Sequence, residues 1–332
     1  MNNSIYAGMA VALAVASSDC VAQTAAPARG TSMEEASTLV TPTGSIYGTL
    51  ELPSSAKPVP VVLIIAGSGP TDRNGNSPML PGSNNSLKML ADGLAAHGIA
   101  SLRYDKRGIA ASRGAAGKEE DLRFDHYVSD AEGWIKQLRA DKRFSTVSVA
   151  GHSEGSLIGM IAARDADADG YISLEGAGRK PSAILVEQLT PQLPPDMMAT
   201  SKHLLDLIEA GAPPDTTTVP PMLAMLFRPS VRPYMVSWFR YDPAVEISKL
   251  KIPALIVQGT TDIQTSMTDA KALAAGYPAG RFLTIEGMNH VLKNAPPGRA
   301  EQGPAYSDPN IPVVPKLIDE MSSFVNGLKR KS

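Results

Sequence analysis

The sequence predicts an α/β fold, with a mostly parallel sheet, helices on both faces and a helical insertion. Two observations lead there. Strand-like and helix-like segments alternate almost strictly from about Ser45 to Leu328, and such alternation builds right-handed βαβ units. Residues 176–249 then break the pattern with clustered prolines and methionines before it resumes. The chain has 332 residues, a length that suits two domains or one domain with an insertion. The alternation favours the second, with the domain covering residues 38–330.

Each element follows from its residues. Ser45–Leu52 alternates in the strand manner, and residues 53–58 form a turn. Val59–Ala66 is a continuous β-branched apolar run, the mark of a strand buried on both faces. A sharp Gly67-Ser68-Gly69-Pro70 loop ends it. Ser86–His97 reads as a helix closed by Gly98, and Ile99–Tyr104 as the next strand. An amphipathic helix spans Phe124–Leu138. Val147–Ala150 is a strand, Ser156–Arg164 a helix and Tyr171–Leu174 a strand. Short helices such as His203–Glu209 fit within the insertion. Ala254–Val257, a helix at Thr268–Ala275, the strand Arg281–Ile285 and a helix at Pro312–Leu328 complete the domain.

The first charged side chain is Asp19, and an apolar stretch runs from Ile5 to Ala16 before it. That length suits a signal peptide rather than a membrane span. Cleavage after Ala22 gives a leader over residues 1–22 and an exported protein, periplasmic or secreted. The n-region carries no Lys or Arg, so a non-functional leader and a cytoplasmic protein is the alternative. Residues 23–37, rich in Ala, Ser and Thr, read as a flexible linker. Cys20 is the one cysteine; it leaves with the leader and rules out a disulfide framework. Lys and Arg number 31 against 33 Asp and Glu. That balance argues against a nucleic-acid partner. No metal or other cofactor is expected, and no membrane span in the mature chain.

Gly151-His152-Ser153-Glu154-Gly155 fits G-x-S-x-G. It follows an apolar strand and opens a helix of small residues, the context in which a strained turn exposes a nucleophilic serine. Serine needs a base to become nucleophilic. Of five histidines, His290 alone follows the last strand, at the carboxyl edge where open α/β sheets bind ligands. His152 is expected to point away from the pocket. Asp262, after the strand at Ala254–Val257, is the expected partner of His290. Asp269, placed in a helix, and Glu286 are weaker candidates. The order Ser153, Asp262, His290 matches one known triad order. An oxyanion needs two donors; the amides of Glu154 and Ser68 are the candidates. Asp72 and Arg73 are expected to organise the Ser68 loop through a salt bridge.

On these residues the chain resembles the α/β-hydrolase superfamily over about Thr38–Leu328. The segment Asp105-Lys106-Arg107-Gly108 resembles the D-x-R-G segment common after the fourth strand there. The stretch from Gly67 to Asn76 is similar to the GSGP…DR segment of bacterial serine esterases, often grouped with serine aminopeptidase-like hydrolases. Many relatives carry His-Gly where this chain has Ala66-Gly67. The resemblance implies an α/β-hydrolase fold, with the insertion acting as a lid. It also implies cleavage of small-molecule carboxylic esters through a Ser-His-Asp triad. Alternatives are a peptidase or amidase, a thioesterase, and a catalytically inactive binding protein.

Overall fold

Β-branched and apolar runs pair into one eight-stranded sheet in the computed structural model, which describes residues 32–212 and 219–330. The expected leader and residues 23–31 of the expected linker lie outside the described residues. The strands are β1 (Ser32–Thr41), β2 (Gly44–Pro53), β3 (Val59–Ile65), β4 (Ala100–Tyr104), β5 (Phe144–His152), β6 (Gly170–Leu174), β7 (Ala254–Gly259) and β8 (Arg281–Ile285). Their spatial order is β1-β2-β4-β3-β5-β6-β7-β8. The first two strands run antiparallel to their neighbours, and every pairing from β4 to β8 is parallel.

Residues 32–37 correct the linker expectation, because they form the first half of β1. This edge strand shows little burial on either face, so it lacks the apolar alternation that marks a half-buried strand. A full backbone ladder to β2 holds it. Glu34 also pairs with the buried Arg103, and Glu35 with Arg143 at 2.9 Å.

Helices cover both faces. On one side, α1 (Ser86–Ala96) and α11 (Pro315–Asn326) bury Leu87, Leu90, Leu317 and Met321 against Val62 and Ile64. On the other, α2 (Phe124–Ala140), α3 (Glu154–Asp165) and α9 (Met267–Gly276) pack with Val61, Leu63 and Ile65. The alternating side chains of β3 thus serve both layers, as a two-sided strand requires.

The insertion holds α4 (Pro181–Leu189), α5 (Pro195–Glu209), α6 (Ala224–Phe227), α7 (Arg232–Phe239) and α8 (Pro243–Ser248). Its prolines have a local cause: α4, α5, α7 and α8 each carry one in their first two positions, where a missing N–H costs nothing. The short α10 (Gly303–Ser307) follows β8 and precedes α11. Helix α7 docks on α2 through rings of Phe124, Tyr234 and Trp238 and a 2.8 Å bond from the Phe124 amide to Ser237 Oγ. Leu185, Leu204 and Met235 of the insertion share one apolar cluster with the sheet.

Candidate active site

Ser153 stands between β5 and α3 with φ 55° and ψ −121°. This conformation is costly for a residue with a Cβ, about 1–3 kcal/mol. Its surroundings enforce it. The Ser153 amide donates to the Leu174 carbonyl at 2.9 Å. A Cβ on residue 151 would lie 2.0 Å from the Gly155 carbonyl oxygen, and one on residue 155 would lie 2.4 Å from that of Ile65. Only glycine lets the turn close this tightly.

The parallel strands deliver the other groups to the same edge of the sheet. His290 follows β8 and Asp262 follows β7, and both are buried. His290 Nδ1 donates to Asp262 Oδ2 at 2.8 Å. The amides of Gln264 and Thr265 donate to Asp262 Oδ1 at 2.7 and 3.0 Å, and Thr265 Oγ1 donates to Oδ2 at 2.8 Å. Burial disfavours the Asp262 carboxylate, but His290 and these donors outweigh it and hold its pKa well below the usual range. Asp269 lies elsewhere: it caps α9 and pairs with Arg179 at 2.7 Å.

Behind Asp262 sits a second carboxyl that sequence reasoning missed. Glu175, the residue after β6, is fully buried with φ 48°. Its Oε1 accepts the Gly259 amide at 2.8 Å. Burial, then the charge of Asp262 and a hydrogen bond to it, push the Glu175 pKa well up. Glu175 is therefore held protonated near an ionised Asp262. The signal available in the sequence was its place at the end of a parallel strand.

His152 does not point away from the pocket. It lines the cleft beside Ser153, with its ring centroid 4.8 Å from that of His290. Its Nε2 donates to the His290 carbonyl at 2.6 Å. Burial, reinforced by His290, lowers its pKa to about 3, so it stays neutral. The elbow's positive φ turns the chain so that adjacent side chains 152 and 153 share one cavity.

The loop after β3 presses against Ser153: a Cβ on Gly67 would meet that of Ser153 at 3.1 Å. Ser68 lines the cleft with Ser153 and His290. Helix α3 begins at Glu154, and its first amides face the turn. The loop is organised differently from expectation. Arg73 pairs with Asp105 at 2.7 Å, not with Asp72. Asp72 instead accepts the amides of Asn74 and Asn76 at 2.8 and 2.9 Å.

An open cleft of about 830 Å³ holds Ser153 and His290, with Gln188 and Gln192 of the insertion on its wall. A neighbouring pocket begins at Gly69 and Glu154 and is walled by Ile109, Leu122, Leu226 and Met235, with Lys106, Glu119 and Arg228 also on its lining. Among the described residues, one carboxylate group, Glu34, Glu51 and Asp92, is close enough to hold a metal ion. Lys88 and Arg103 already contact these carboxylates. No described helix is long and apolar enough to cross a membrane.

The family described as serine aminopeptidase, S33, matches residues 83–207, a span that includes Ser153 but neither Asp262 nor His290. The chain is 25% identical over 281 residues to Esterase EstD of Thermotoga maritima, covering 84% of this chain and 65% of that one. It thus spans less than two thirds of the length of this curated relative. The fold is similar to that of Est1E from Butyrivibrio proteoclasticus, solved with ferulic acid, at TM-score 0.57, 17% identity and coverage of 87% and 99% of the two chains. It is also similar to a puromycin-hydrolyzing peptidase of Mycobacterium tuberculosis, at TM-score 0.56, 16% identity and coverage of 89% and 39%. With its parallel sheet and strand-end loops, the chain has an α/β-hydrolase fold and is similar to bacterial esterases and to serine aminopeptidase-like hydrolases.

Proposed function

We propose that this protein hydrolyses small-molecule carboxylic esters through Ser153, His290 and Asp262, by way of an acyl-enzyme. The observation that carries the reading is the bond from His290 Nδ1 to a buried, ionised Asp262 at 2.8 Å, with His290 and the strained Ser153 on one cleft. Asp262 fixes the tautomer that leaves His290 Nε2 free to accept a proton. His290 takes the Ser153 proton as Oγ attacks the carbonyl carbon, then returns it to the leaving alcohol. Water repeats the steps and frees the acid. The Ser68 and Glu154 amides stabilise the tetrahedral oxyanion. The apolar pocket suits an acyl chain, and the insertion shapes it as a lid.

A peptidase reading draws on the matched family. An aminopeptidase must hold a cationic α-amino group near the scissile bond. Among the described residues lining the Ser153 cleft none is Asp or Glu, and the two carboxylates at the neighbouring pocket, Glu119 and Glu154, are paired with Arg228 and Lys106. This favours the ester reading. The same apolar stretch before Asp19 supports export, tested by sequencing the amino terminus of the protein recovered from the periplasm.

Ser153→Ala tests the whole reading. Its kcat on 4-nitrophenyl butyrate should fall by about 10⁴–10⁶-fold, and a fluorophosphonate should cease to label the protein. Wild-type turnover in that variant removes the assignment. A preference for aminoacyl anilides over esters would favour the peptidase instead.

A further inference from the structure

Lys106 is almost wholly buried, and the proposed chemistry does not use it. Its Nζ donates to the Gly67 carbonyl oxygen at 2.6 Å and to Glu154 Oε2 at 2.8 Å. It stands over the Tyr127 ring, 5.0 Å from the centroid. The Tyr234 hydroxyl donates to the other Glu154 oxygen, Oε1. One ammonium thus joins the loop after β3, the loop after β4 and the first residue of α3, and Tyr234 ties that cluster to the insertion.

The two acceptors matter because of what is bonded to them. The Gly67 carbonyl and the Ser68 N–H belong to one trans peptide plane, so they point in opposite directions. Fixing the carbonyl on Lys106 aims the Ser68 N–H away from Lys106. Glu154 supplies the other proposed oxyanion amide, and its carboxylate is anchored on the same nitrogen. A buried ion pair adds little net stability over an apolar pair. What it supplies here is a fixed geometry between two segments that lie just beyond the end of the β3–β5 ladder.

We propose that Lys106 is a positioning residue of the oxyanion hole, holding the Ser68 and Glu154 amides in register with each other. The inference rests on the Ser153 triad reading above. It predicts that losing Lys106 harms the tetrahedral state more than substrate binding.

Two variants test it. Lys106→Met/Glu154→Gln removes both charges together and leaves no unpaired buried ion. Lys106→Arg keeps the charge opposite Glu154 but places a wide planar guanidinium where a compact ammonium stood. For each, kcat and KM on 4-nitrophenyl butyrate, the Kd of phenylboronic acid and Tm are measured. The expected result is a fall in kcat of about 10–100-fold in both. KM should stay within about two-fold, and phenylboronic acid should bind more weakly by a factor close to that in kcat. Wild-type kcat in either folded variant, or a loss carried by KM alone, overturns the proposal. Ser153→Ala in the same assay keeps the two readings apart. If it is inactive while both Lys106 variants turn over normally, only the role of Lys106 falls. If it is active, the triad itself falls.

Discussion

His152 holds the main chain of His290 through a 2.6 Å hydrogen bond from its Nε2 to the His290 carbonyl. The residue before Ser153 thus braces the loop that carries His290. The brace requires a proton on Nε2, and burial requires the ring to stay otherwise neutral.

That requirement links stability to pH. Burial and His290 lower the His152 pKa to about 3, whereas in the unfolded chain it lies near 6.5. Below about pH 6.5 the unfolded state therefore binds a proton that the native state refuses. The native state loses stability by about 1.4 kcal/mol per pH unit until the native pKa is reached. His152→Gln lacks this linkage. Urea unfolding at pH 7, 5.5 and 4.5 should show the gap between wild type and variant shifting toward the variant as pH falls. A gap independent of pH would mean that His152 is not buried and neutral.

Glu175 predicts the opposite slope. Its pKa is raised by burial and by Asp262. The unfolded chain releases this proton near pH 4.3, while the native state keeps it. Native stability contributed at acid pH is thus lost as pH rises toward the native pKa. Glu175→Gln keeps the acceptor for the Gly259 amide and removes the titrating proton. Its Tm should match wild type near pH 4 and exceed it at pH 7–8. A variant less stable at every pH would show that the second carboxyl is ionised.

The acid can be assigned by a matched pair. Asp262→Asn should lower kcat by about 10³–10⁴-fold, because an amide favours the wrong imidazole tautomer. Asp269→Asn should leave kcat within a few-fold and lower Tm, since Asp269 is buried against Arg179 and the start of α9. The reverse pattern would reassign the acid.

Strain at Ser153 makes a further prediction. Glycine tolerates φ 55° and ψ −121° far better than serine. Ser153→Gly should therefore unfold at higher urea than wild type, by about 1–3 kcal/mol, while losing activity. Ser153→Ala, which keeps a Cβ, should show no such gain. Equal stability of the two variants would argue against strain at the elbow.

Parts of the site were legible because chemistry and backbone demand the same residues in sequence order. Gly151, Ser153 and Gly155 announce their turn, and Asp262 and His290 follow apolar strands. Other parts depend on distant partners. Lys106 looks like a surface lysine until Gly67, Glu154 and Tyr234 close around it. Arg73 finds Asp105 rather than its neighbour Asp72 because the chain turns between β3 and α1. Residues 32–37 read as linker because an edge strand held by its backbone ladder needs no apolar pattern. The prolines of the insertion signalled irregular chain, yet they start four helices.

Ser153, Asp262 and His290 come from the ends of β5, β7 and β8, and the last two are 28 residues apart. A chain with only β4, β3, β5 and β6 paired would already hold the serine turn but not Asp262 or His290. Parallel pairing across such separations is slow. Reactivity toward a fluorophosphonate is therefore a clock for the end of folding: labelling should rise with the slowest refolding phase, after helix content has returned.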